Sequence, residues 1–288
     1  MGQQRATGDD PPVRPASTVM LIRDGPRGLE VFTLRRVAGM AFAGGMTAFP
    51  GGAVDPADAD PTVPWHGPGP DWWAAQWDIG VPEARRQVVA AVRELFEETA
   101  ILLAGSDTDV VSGDPAVREA DRQALTTHRR SLAEVLRATG QRLRADLLRP
   151  WARWITPPGQ TRRYDTYFFV AALPAGQRAS AVTTEASAGQ WERPAEVLDA
   201  GRAGRIGMLP PTVAMLTDLS SAAGVAEVLA TPRQVRPVTP IVLSADGEVL
   251  RVLAGDREIQ ARVPPAAPVT GRTPTTDPTL PTDPEDPA

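Results

Sequence analysis

Arg93-Glu94-Leu95-Phe96-Glu97-Glu98 is the stretch that decides how this chain is read. Around it, Val88, Val89, Val92, Leu95, Phe96 and Thr99 recur at spacings of three and four, which predicts a helix with one buried stripe from about Pro82 to Leu103. Pro82 falls in the first turn, where a missing amide donor costs nothing. Each helical residue advances by about 100°. Glu94 and Glu98 are therefore one turn apart on a single face, with Glu97 beside them. Three carboxylates in one small arc repel each other. A divalent cation held between them removes the penalty; a solvated acidic face has the same spacing, so the upstream context has to separate the two.

That context is Ala48-Phe49-Pro50-Gly51-Gly52-Ala53-Val54-Asp55. A double glycine lets backbone approach a ligand closely and leaves its carbonyls available to a metal. Before it, Ser17 to Arg23 and Leu29 to Arg35 read as strands joined by the turn Asp24-Gly25-Pro26-Arg27-Gly28, a hairpin. Val37 to Gly52 reads as a glycine-rich loop approaching a site. After the glutamates, Thr166 to Leu173 reads as a central strand, Trp191 to Leu198 as a strand end passing into a helix, Pro210 to Leu219 as a helix, and Ile241 to Ala254 as a hairpin about Asp246-Gly247.

Two segments interrupt this order. Residues 55–82, rich in Pro, Asp and Trp, read as an insertion whose tryptophans (Trp65, Trp72, Trp73, Trp77) pack on the domain. Residues 114–149 read as a mostly helical insertion. Asp114-Pro115 opens it, Ser131-Leu132-Ala133-Glu134 has the form of a capping box, and Leu143, Leu147 and Leu148 continue an apolar face to Trp151. One domain is expected over 16–263, between a disordered lead-in, 1–15, and a disordered Pro/Thr/Asp-rich tail, 264–288.

Composition narrows the chemistry. With 288 residues the chain can bury a sizeable core. It has no cysteine, which excludes disulfides and thiolate-held zinc, and its two histidines exclude a multi-histidine site. A metal would be held by oxygen, pointing to Mg²⁺ or Mn²⁺. All 30 cationic side chains are arginine, and the net charge of −5 gives no footing to a nucleic-acid partner. The N-terminus has no apolar signal-peptide core and no stretch has the length of a membrane span, so a cytoplasmic protein is expected.

At this point the sequence resembles the Nudix hydrolase family, whose box reads Gly, five residues, Glu, seven residues, Arg-Glu, an aliphatic residue, any residue, Glu-Glu, any residue, Gly and an aliphatic residue. Gly52 fits the opening glycine, Asp58 stands where the first glutamate belongs, and Arg93 to Ile101 fits the second half with Ala100 in place of glycine. Here 34 residues separate Asp58 from Arg93. Leu34-Arg35-Arg36, Met40 to Gly52, Thr156-Pro157, Arg163 to Phe169 and Leu209 to Thr212 are similar to the branch of peroxisomal coenzyme A diphosphatases, in which the box is also interrupted.

The resemblance implies an α/β/α sandwich with a mixed sheet. It also implies hydrolysis of a diphosphate linking a nucleoside to another moiety. Glu94, Glu97, Glu98 and the Gly52 carbonyl are the implied metal ligands, Arg93 holds the carboxylates, and any of the three glutamates could orient the water. Glu185 is a further acidic candidate, and Arg35, Arg36, Gly51 and Gly52 are candidates for contacting substrate. The expected partner is a small nucleotide-type molecule: coenzyme A or acyl-CoA, with ADP-ribose and NADH as competitors. A Nudix-fold binding module without catalysis is the alternative of a different class.

Overall fold

The computed structural model describes residues 10–36, 45–180 and 186–263. The expected lead-in as far as residue 9, most of the glycine-rich loop before Gly45 and the tail 264–288 lie outside them.

The first hairpin joins β1, Val13–Gly25, to β2, Gly28–Arg36. β1 begins three residues inside the expected lead-in, because Val13 to Pro15 pair with a strand far along the chain. Then come β3, Met46–Ala48, and β4, Gly51–Ala53, followed by a single 3₁₀ turn at Pro56–Ala59. The insertion contributes β5, Trp65–His66, and α1, Pro70–Trp77. α2 spans Val81–Thr99. It stops four residues before the expected Leu103, because Ala100 turns into the left-handed region at φ 61° and its N–H bonds the Phe96 carbonyl. The family glycine is replaced here, yet the alanine still makes a left-handed helix end.

Beyond α2 run β6, Ala104–Gly105; α3, Glu119–Thr126; α4, Leu132–Ala138; β7, Arg142–Arg144; β8, Leu148–Ile155; and β9, Arg163–Ala172. The helical insertion expected over 114–149 therefore ends at Ala138. Gly140, at φ 66°, reverses the chain. Leu143 and Leu148 then enter strands, and Trp151 lies within β8 rather than on a continuing helix face. The capping box at Ser131 and Glu134 is present. The remainder is β10, Ala186–Glu192; α5, Pro194–Arg202; β11, Gly207–Met208; α6, Pro210–Ser220; α7, Val225–Ala230; and β12, Pro237–Val238. The chain closes with β13, Ile241–Asp246; β14, Val249–Ala254; and β15, Arg257–Arg262, a three-stranded meander where a hairpin was expected.

The large sheet is mixed, in the order β11-β3-β2-β1-β9-β8-β12, with β10 on β2 and β4 on β1. β1 and β9 run parallel at its centre, from Val13 opposite Arg163 to Ile22 opposite Ala172. Both faces are covered, so these strands read as continuous apolar runs rather than alternating ones. On β1, Val19 and Leu21 face one core with Val88, Val92 and Leu95 of α2, while Met20 and Ile22 face the other with Leu216 and Leu219 of α6. The expected α/β/α sandwich is the observed fold.

Two of the four insertion tryptophans go deeper than surface packing, whereas Trp65 is half-buried and Trp72 is exposed rather than packed on the domain as expected. Trp73 and Trp77 are buried under the sheet, with ring centroids 5.7 Å from Phe169 and 5.0 Å from Tyr167 respectively. Burying a large apolar side chain contributes about 1.5–3 kcal/mol, so α1 is part of the core. Among the described residues no helix is long and apolar enough to cross a membrane.

Candidate active site

α2 is fixed to the sheet so that its glutamates overlie β4. Near its start, the Ser17 hydroxyl of β1 donates to the Gln87 side-chain carbonyl (2.7 Å) or backbone carbonyl (2.8 Å). Near its end, the Gly51 N–H donates to Glu98 Oε2 at 2.7 Å. A side chain on either glycine of β4 would collide: a Cβ on Gly51 would lie 2.4 Å from the Ser17 carbonyl oxygen, and one on Gly52 would lie 2.6 Å from Glu94 Oε1. The double glycine thus seats Glu94 and Glu98, one helical turn apart, against the same short strand.

Arg93 organises the other side. Its Nε and Nη2 each donate to Asp58 at 2.9 Å, Nη2 also reaches the Ala53 carbonyl at 2.9 Å, and Nη1 lies 2.8 Å from Glu94 and 3.4 Å from Glu97. Asp58 is almost wholly buried and also accepts the Asp55 N–H at 2.8 Å, within a capping box on the 3₁₀ turn. The interrupted box is therefore continuous in space. The chain leaves after Asp58, builds β5 and α1, and returns to place Arg93 on the carboxylate it left behind.

Low solvation sets the local electrostatics. Burial pushes the Glu94 carboxyl up to about 7 against the Arg93 guanidinium, with the Glu97 charge adding to the rise. Burial likewise raises Glu97 and Asp58, and Arg93 opposes the rise at both. The same carboxylates hold the Arg93 guanidinium in its charged form.

Arg93, Glu94, Glu97 and Glu98, with Asp58 buried behind them, line a cleft of about 670 Å³ that also contains Thr126, His128, Trp154, Gln160, Arg162 and Tyr164. Of the residues singled out from sequence, Arg93, Glu94, Glu97, Glu98, Gly51 and Gly52 come together there. Arg35 does not line the cleft. It sits on β2, bonded to the Thr47 hydroxyl and 3.5 Å from Glu192. Arg36 ends the same strand opposite Ala186, and its side chain, like Glu185, lies outside the described residues. The sequence reading missed His128, whose backbone is left-handed at φ 52° and whose ring lies 3.4 Å from Asp55. It also missed the wall formed by Val242, Leu250 and Val252. No local pattern marks these residues, because they reach the cleft from distant segments.

Among the described residues, no three acidic or histidine side chains are drawn together as a ready-made metal cage. The reason is visible in the bonds: Glu94 and Glu97 lean on Arg93, and Glu98 on the Gly51 amide. The donor chemistry nevertheless fits a hard divalent cation: Glu94 and Glu98 share one helix face against side-chain-free backbone, and only oxygen ligands face the cleft from it.

A mixed sheet between helical layers, with an Arg-Glu-x-x-Glu-Glu helix on its flank, defines the class. Residues 74–219 match the family model described as the NUDT19 Nudix domain. The chain belongs to the Nudix hydrolase family. It is 30% identical over 191 residues to nudix hydrolase 7 of Caenorhabditis elegans, an alignment covering 66% of this chain and 56% of that protein, so the chain spans about half the length of this relative. Its fold is similar to the crystal structure of a Nudix hydrolase from Alicyclobacillus acidocaldarius, with a TM-score of 0.66 and 27% identity over 77% of this chain and 98% of the other.

Proposed function

We propose that the chain is a divalent-metal-dependent diphosphohydrolase. Its substrate is a nucleoside diphosphate linked to a second moiety, coenzyme A or an acyl-CoA before ADP-ribose or NADH. The observation that carries this reading is the seating of Glu94 and Glu98 on Gly51-Gly52 in the cleft, with Arg93 locked behind them by Asp58. The matched family model is that of a peroxisomal coenzyme A diphosphatase, which favours coenzyme A among the candidates.

Glu94, Glu97, Glu98 and the Gly52 carbonyl are the groups proposed to hold Mg²⁺ or Mn²⁺. A bound divalent cation neutralises phosphate charge, orients the diphosphate and acidifies water. This chain's own contribution is to keep the carboxylates in place before substrate arrives. Arg93 pins Glu94 and Glu97 through its Nη1, while its other nitrogens are anchored to Asp58 and Ala53. Arg122 of α3 donates to the Glu97 backbone carbonyl at 2.7 Å and steadies that turn. One carboxylate accepts the proton of the attacking water, as a general base must. The substrate's second moiety extends along the cleft, away from α2.

The test is a substrate panel of coenzyme A, an acyl-CoA, ADP-ribose and NADH with Mg²⁺ and with Mn²⁺, followed by mass analysis of the products. The expected result is cleavage at the diphosphate, lost on chelation and restored by either ion. Full activity in excess chelator, or no cleavage of any member, would overturn the proposal.

A further inference from the structure

The meander β13–β15 lies after residue 219, where the matched family segment ends. Its strands alternate strictly on β14 and β15. Arg251, Glu258 and Gln260 point outward, and Arg251 pairs with Glu258 across the strands. Val252, Ala254, Ile259 and Ala261 are buried on the other face. That inward face does two different things. Ile259 and Ala254 join the core beneath α5 and α6. Val242, Leu250 and Val252 line the cleft, where they meet Trp154 and Phe168 of the large sheet. Val242 stands directly opposite Val252 in the register, so the three form one continuous patch.

The cleft lining thus has two chemically distinct parts. One carries the α2 carboxylates and the β4 backbone. The other is aliphatic and aromatic, and Val242 and Leu250 are only half-buried there. Half-exposed apolar side chains gathered in a concavity gain free energy when a ligand displaces the water over them. A ribose or a nicotinamide ring with its amide is a poor match for such a surface; an uncharged hydrocarbon arm is a good one.

We infer that the C-terminal meander is the specificity wall of the cleft: Val242 and Leu250, backed by the buried Val252, bind an extended apolar arm on the non-nucleoside side of the diphosphate. This rests on the diphosphohydrolase reading for what the bound molecule undergoes, but not for what the wall binds. The wall favours an acyl-CoA over a compact nucleotide because only the former carries such an arm.

The experiment compares wild type with Leu250→Gln and Val242→Asn, using full-length protein. The readout is the ratio of kcat/KM for the coenzyme A thioester of a ten-carbon acid to that for ADP-ribose. Each wall variant should lower this ratio about 10-fold, through KM for the thioester and not through kcat, as expected for polar replacement of an apolar contact. Ile241→Gln, on the exposed face of β13, is the control and should leave the ratio unchanged. Melting curves report folding, and Leu250→Ala replaces any variant that fails to fold. An unchanged ratio with both substrates still cleaved would overturn the wall and leave the hydrolase reading standing. If wild type cleaves neither substrate, the hydrolase reading fails, and calorimetric binding of the thioester decides the wall. Binding weakened about 10-fold in both variants would sustain it; equal binding, or none to wild type, would overturn it.

Discussion

Glu98→Gln is expected to lower turnover by about 10²- to 10³-fold while the protein melts at or slightly above the wild-type temperature. The size follows from losing one well-placed charged group at a centre where charge develops. The unchanged fold follows from the hydrogen bond that Glu98 makes. Its Oε2 accepts the Gly51 N–H at 2.7 Å, and the amide oxygen of glutamine accepts the same bond. Helix propensity and side-chain volume are also kept. Removing a negative charge beside Glu94 and Glu97 relieves repulsion in the metal-free protein. Because ion affinity falls with the charge, part of the lost rate should return at high Mn²⁺. Paired turnover and melting measurements across a metal titration check this. Near-normal turnover at low metal would remove Glu98 from the site, and a collapsed melting transition would make its role structural.

Asp58→Asn is expected to destabilise the fold by about 3–5 kcal/mol, the typical cost of removing one partner from a buried ion pair. Both Arg93–Asp58 bonds are 2.9 Å, and the two side chains are nearly inaccessible to solvent. Asparagine keeps an acceptor for one of them but turns an amide donor toward the guanidinium. Arg93 is then left with Glu94, Glu97 and the Ala53 carbonyl, and it pulls the glutamates from their seats. Turnover should therefore fall along with stability. Asp58→Glu, which restores the residue of the family box, should retain much of both. Urea unfolding midpoints with turnover at saturating metal measure the two effects. A loss below about 1 kcal/mol would mean that the bridge behaves as an exposed one.

The parts legible in the sequence are those where a local period carries the information. α2 was readable because its apolar stripe is long and regular, β1 and β9 because their central runs, covered on both faces, are apolar, and β2 because its apolar residues partly alternate. The role of Asp58 was not readable: its partner lies 35 positions away, and only the folded insertion shows that the two halves of the box still touch. The start of β8 was read as the end of a helix because Pro150, Arg149 and Arg153 hide the strand pattern. The structure places Pro150 at a register shift, where a strand tolerates a missing N–H. β15 escaped notice because Arg257-Glu258-Ile259-Gln260-Ala261-Arg262 has only two apolar residues, although they alternate correctly inward. Arg35 looked available for phosphate, but Thr47 and Glu192 already engage it. That competition is tertiary and leaves no mark in the sequence.

Crystals soaked in Mn²⁺ and measured for anomalous scattering show whether the α2 carboxylates form a divalent-metal centre over Gly51-Gly52. The expected result is a peak within about 2.5 Å of oxygens from Glu94 and Glu98, with Asp58 still bound to Arg93. A peak coordinated by Asp58, or none near α2 in crystals of protein that turns over substrate with Mn²⁺, would contradict it.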